Sequence, residues 1–160
     1  MNDEMDALLA SLDTQREHVL GALDGLSDED LRRPVLPTGW TPLGLVHHLA
    51  IDVERFWYRN AMAGDPWTPT DDNAWVVPDG MTTAEVLGLY TGEIARANAI
   101  IENLPPDAMP KWWPDFFQNF PPRPLRKVML HVIAETATHA GHLDAARELV
   151  DGSQWIVLTE

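Results

Sequence analysis

Cysteine is absent from this chain of 160 residues. That excludes disulfides, thiolate zinc sites and a cysteine nucleophile, so any metal must be held by nitrogen and oxygen and any reacting sulfur must come from outside. Positive charge is scarce too: 11 Lys and Arg face 25 Asp and Glu, a formal net charge of −14. Phosphate backbones need clustered Lys and Arg, so nucleic acid is not an expected partner, and an anionic membrane would repel the chain. No apolar run approaches the ~20 residues of a membrane span. The start, Met1-Asn2-Asp3-Glu4-Met5-Asp6, has neither the basic nor the apolar part of a signal peptide, and a cytoplasmic location is expected. Strand patterns, internal repeats, low-complexity tracts and domain boundaries are also missing, which predicts one all-α domain over residues 1–160. A chain of that length buries roughly 68–70 % of the surface its unfolded form exposes.

What is present is helical periodicity punctuated by proline and glycine. Met5, Leu8, Leu9, Leu12, Val19, Leu20 and Leu23 recur at three- and four-residue intervals and stop near Gly25. Ser27 and the acidic residues after it read as one extra turn. A second helix starts at Thr41 as N-cap with Pro42 in its first position and runs through Trp57 towards Met62, with Leu45, Val46, Leu49, Val53, Phe56 and Trp57 as its apolar arc. Gly64–Gly80 is long for a helix connection and suits a crossover between distant ends of a bundle. A third helix runs from Thr82 or Thr83 to about Asn103. A loop rich in proline then concentrates Trp112, Trp113, Phe116, Phe117 and Phe120, as a core plug or a lid. The fourth helix follows Pro124 and ends at Asp151-Gly152. The tail Trp155-Ile156-Val157-Leu158 is expected to pack on the bundle or on a second chain.

The fourth helix carries the chemistry. At about 100° per residue, Glu135, His139 and His142 share the sector of Val128, Val132, Leu143, Ala146 and Val150. A carboxylate and imidazoles in a core stripe are costly unless paired or bound to a metal, and ligands four residues apart on a helix converge on one ion. A third ligand must come from elsewhere, and His47-His48 is the natural source. The wheel places His48 beside Leu45 and Asp52 and turns His47 to the polar side with Glu54, so His48 is the candidate. Asp52 can orient its imidazole or act as a weaker fourth ligand. His142 is read as a fourth ligand, a catalytic acid or base, or a hydrogen-bonded neighbour; His131 reads as structural and His18 as surface. The competing reading is a buried Glu–His pair with His48 bonded to a carbonyl. Nitrogen and oxygen donors suit zinc, nickel, iron or manganese.

The block Gly39-Trp40-Thr41-Pro42-Leu43-Gly44-Leu45-Val46-His47-His48-Leu49-Ala50, with Glu54 and Trp57, and the blocks Glu135-Thr136-Ala137-Thr138-His139-Ala140-Gly141-His142-Leu143-Asp144 and Arg147-Glu148-Leu149-Val150-Asp151-Gly152, resemble the DinB superfamily. More narrowly they resemble its actinobacterial, mycothiol-dependent branch. The resemblance implies a four-helix bundle with an up-down-down-up path, often dimeric, with a divalent metal in a cleft at one end. It implies ligands at His48, Glu135 and His139, where glutamate stands for the first histidine of the usual His-x-x-x-His pair, as in the branch similar to mycothiol-dependent maleylpyruvate isomerase. His142 falls where many members carry glutamine, so no ligand role transfers to it; catalytic acid or base is the role assigned to it here.

Three protein ligands leave open positions, the arrangement of a catalytic site. A metal there can lower the pKa of an external small thiol, and the resemblance points to mycothiol or a similar thiol as cosubstrate of a transferase. The alternatives are a hydrolase that activates water with the same ligands and a non-catalytic, metal-dependent binding protein for a small molecule. Basic residues lining the cleft would favour an acidic thiol; Arg123, Arg126 and Lys127 are the candidates, with a solvated helix end as the simpler reading.

Overall fold

Local signals start and stop the helices where the sequence places them. A computed structural model describes residues 3–67, 73–117, 119–153 and 155. Helix α1, Asp3–Leu23, ends before Gly25, whose φ of +77° suits glycine. Ser27 caps the short α2, Asp28–Arg32, by accepting from the Asp30 amide. Thr41 accepts from the Gly44 amide and Pro42 opens α3, Pro42–His48. Thr82 and Glu85 form a reciprocal capping box on α4, Thr83–Glu102. Helix α5, Leu125–Asp151, closes on Gly152 in the left-handed conformation. The described residues contain no strand.

The continuation of α3 departs from expectation. From Leu49 to Met62 the helix is π-helical, and at its end the Ala63 amide reaches back five residues to the Tyr58 carbonyl. Such runs are rare, and they wind more residues into each turn than an α-helix does. A 100° wheel therefore misplaces side chains progressively beyond His48. Glu54, expected on the polar side, is 1 % exposed, while Phe56 and Trp57 leave the bundle core half-buried. Those two rings pack instead with Trp112, Trp113, Phe116 and Phe117 of the proline-rich loop, and His131 meets Trp57 edge-on at 4.8 Å. The aromatic loop is thus a plug on the flank of the helix.

The pairings between helices give the path. Glu4 meets Arg126, His18 meets Asp144, and Arg147 reaches the Ala22 carbonyl, so α1 and α5 run parallel. The chain after α4 returns to Ala61 through the Trp112 amide, and the Leu125 amide bonds the Ala108 carbonyl. Hence the ends of residues 42–62 and of α4 lie together with the starts of α1 and α5, and the order is up-down-down-up. The core is one cluster in which Leu12, Val19, Leu45, Leu49, Tyr58, Tyr90, Ile101, Met129, Val132 and Leu143 are buried. No helix among the described residues is long and apolar enough to cross a membrane.

His18 is corrected by this packing: it spans α1 and α5 through the 2.7 Å pairing with Asp144 and is largely buried. Arg126 lies at the end of the bundle where α1 begins, remote from the start of α3, and pairs there with Glu4. That supports the solvated helix end over a cleft lining. Trp155 packs over Gly21, where a Cβ would overlap its ring; Ile156, Val157 and Leu158, like Pro69, Asp71 and Asp72 of the crossover, lie outside the described residues.

Candidate metal centre

Two helices supply the donors. Helix α3 presents His48 on its last turn, and α5 presents Glu135 and His139 one turn apart on the side facing it. One donor atom from each of the three lies within 4.8 Å of the others. Glu135, at the half-exposed rim, already lies 3.4 Å from Nε2 of His139. His48 and His139 are only 8 % and 7 % exposed.

The hydrogen bonds define which nitrogen is free. His48 Nδ1 lies 2.9 Å from the Asp52 carboxylate; the carboxylate accepts, so Nδ1 carries a proton, and in the neutral ring Nε2 carries the lone pair. That Nε2 is buried and has no hydrogen-bond partner among the described residues. A buried acceptor with no donor is costly, and a cation is what such a lone pair can take. Of the competing expectation, the Glu135–His139 pair is present at 3.4 Å, whereas the His48 ring bonds the Asp52 carboxylate and, among the described residues, no backbone carbonyl. His139 Nε2 is 3.4 Å from Glu135, and its Nδ1 is 3.4 Å from Nδ1 of His142. Burial, then the neighbouring His48, hold the His139 imidazole below the ordinary histidine range. Its neutral form, the form that binds metals, is favoured.

His47 departs from the sequence reading: it is buried, and its Nδ1 donates to the Ala74 carbonyl at 2.7 Å. The crossover covers the face that the wheel leaves to solvent. Through that crossover comes Trp75, a residue the sequence reading did not single out, whose indole stacks on His48 at 4.1 Å and 16° and meets His139 at 5.3 Å. Trp40 stands 6.2 Å from His142 and shares with Trp75 a cavity of about 310 Å³. His142 is exposed and lies outside the three-donor group.

A family model described as mycothiol-S-transferase matches residues 7–152. No curated protein and no solved structure matches the chain.

Proposed function

The chain belongs to the mycothiol-S-transferase family, within the DinB-like superfamily, and on that premise we propose that it transfers the sulfur of mycothiol, or of a closely similar small thiol, to an electrophile at a divalent cation held by His48, Glu135 and His139. The observation that carries this reading is the buried, unpartnered Nε2 of His48 in a residue that groups with Glu135 and His139, in a chain without a sulfur nucleophile of its own. A divalent cation bound there would supply Lewis acidity, stabilising a thiolate at neutral pH.

The protein's own groups do the rest. Asp52 keeps the proton of His48 on Nδ1 and the lone pair on Nε2. His142 is placed to do the same for His139: the two Nδ1 atoms are 3.4 Å apart, and we assign the proton between them to His139, the tautomer that leaves its Nε2 for the cation. The lone pair that a catalytic base would use is turned to His139, so orientation is the role we assign to His142. Both are outer partners of the kind that fix ring direction and ligand basicity. Trp75 lies against His48 and His139 and Trp40 near His142, so both indoles border the donor group. In the reaction the S–H bond breaks, a bond from sulfur to the electrophilic carbon forms as the bond from that carbon to the leaving group breaks with its electron pair, and the proton goes to the leaving group or to solvent.

The test loads the protein with Co²⁺ and adds mycothiol, another small thiol or none, with one electrophile and one ester. Sulfur coordination is expected to give a charge-transfer band, and conjugation should require Co²⁺, the thiol and His139 together. Ester cleavage without thiol would replace this reading with a hydrolase. Tight capture of a small molecule without turnover would replace it with a binding protein.

A further inference from the structure

We infer that Trp75 is a positioning residue of the metal centre, held against His48 by a two-point latch that Gly44 and His47 provide. The three residues of α3 concerned, Gly44, His47 and His48, are spaced i, i+3 and i+4 and so share one helical face. The crossover lies across that face. At the first point a Cβ on Gly44 would overlap the Trp75 carbonyl oxygen, so the backbone can lie this close only on glycine. A glycine inside a helix costs about 1 kcal/mol against alanine, and this approach is the packing that gives it a purpose. At the second point His47 Nδ1–H donates to the Ala74 carbonyl at 2.7 Å. The segment between them is itself stiffened, because Asn73 accepts from the Trp75 amide through its side chain and from the Val76 amide through its backbone.

The consequence falls on His48. The hydrogen bond from Nδ1 to Asp52 fixes one direction in the imidazole, and a ring held at one atom still pivots about that line. The Trp75 indole, nearly parallel to the ring at 4.1 Å, removes the pivot. The two constraints together aim Nε2 at Glu135 and His139. The inference rests on the metal reading for its consequence and on the geometry of the metal-free protein for its mechanism, and each can be measured.

The experiment compares full-length wild type with His47→Ala, His47→Asn, Trp75→Ala and Trp75→Phe. In the metal-free proteins the His48 ring protons are followed by NMR at one fixed pH. Stacking under an indole should move them upfield in wild type; His47→Ala and Trp75→Ala should lose the shift. His47→Asn, which keeps a donor near the position of Nδ1, and Trp75→Phe, which keeps a stacking face, should retain most of it. Chelator competition with Co²⁺ should then show a roughly 10–100-fold weaker affinity in the two alanine variants, the range for outer partners of metal ligands, and near wild-type affinity in the conservative ones. A His48 shift unchanged by His47→Ala overturns the latch. Co²⁺ affinity indifferent to both alanine variants overturns the positioning role alone. Wild-type protein that takes up no Co²⁺ overturns the metal reading and the positioning role together.

Discussion

Two polar clusters interrupt the apolar interior of this bundle, and they are built on opposite plans. In the middle of the bundle, Arg16 grips both oxygens of Glu54 at 2.8 and 2.7 Å and reaches Asp13 and Asn98 with its remaining nitrogen. Glu93, fully buried, is met by Arg55, Arg59 and Arg96. Every charge there has its counter-charge. At the candidate metal centre, ligand atoms of His48, Glu135 and His139 gather within 4.8 Å of one another; Glu135 and His139 approach at 3.4 Å, and Nε2 of His48 is buried with no hydrogen-bond partner among the described residues. The closed cluster holds helices together. The open one leaves a buried nitrogen unpartnered, the position that the proposed cation would fill.

The sharpest way to break this contrast is to open the closed cluster. Arg16→Met leaves the Glu54 carboxylate buried without its counter-charge and should lower the unfolding free energy by about 3–5 kcal/mol; Glu54→Leu, which leaves Arg16 its pairing with Asp13, should cost less, and the double variant should recover most of the loss. Urea denaturation measures it, and Co²⁺ uptake by the folded protein should stay unchanged. A loss of metal in these variants would show that the clusters are not independent.

Removing a donor from the open cluster should do the converse. His48→Ala or His139→Ala is expected to weaken Co²⁺ binding by more than about a hundredfold, beyond the range for outer partners, while the metal-free protein changes stability by about 1 kcal/mol or gains it, since functional sites are seldom optimised for stability. Smaller effects belong to the groups behind the donors: Asp52→Ala and His142→Ala should each weaken binding roughly 10–100-fold. Chelator competition ranks all four, and a His142→Ala variant with intact metal affinity but no turnover would restore a catalytic role to that residue.

The least of the effects appears at high pH. Tyr58 and Tyr90 are the two tyrosines of the chain, both fully buried. Burial, reinforced by the nearby Glu54 carboxylate, raises both phenols above the ordinary value of 10.0. A group with a raised folded pKa contributes stability that is present below its unfolded value and is lost as pH climbs past it. Phenolate absorbance should therefore stay silent until unfolding and then rise in a single step with the loss of helix; a separate titration before unfolding would place a phenol at the surface.

Much of this was legible in the residues themselves. Thr41-Pro42, Ser27, Gly25 and Gly152 act through local backbone chemistry, and the structure caps the helices there. Glu135 and His139 were readable because α5 keeps the 3.6-residue period on which a wheel depends. His47, Glu54 and Arg16 were not. The π-helical winding after His48 moves Glu54 inward, and the partners that make its burial tolerable are on other helices, where sequence spacing carries no information.

By itself, then, the amino-acid sequence determined the helix limits, the nitrogen and oxygen character of any metal site and the exclusion of a cysteine nucleophile, because caps, periodicity and the absence of cysteine are properties of neighbouring residues or of the chain as a whole. Only the tertiary structure decided what lies on the His48 ring beyond its one-turn bond to Asp52 and what buries His47. Trp75 and Ala74 are brought 27 residues along the chain to lie on His48 and His47, and contacts of that separation follow from how the bundle closes, with no local pattern to announce them.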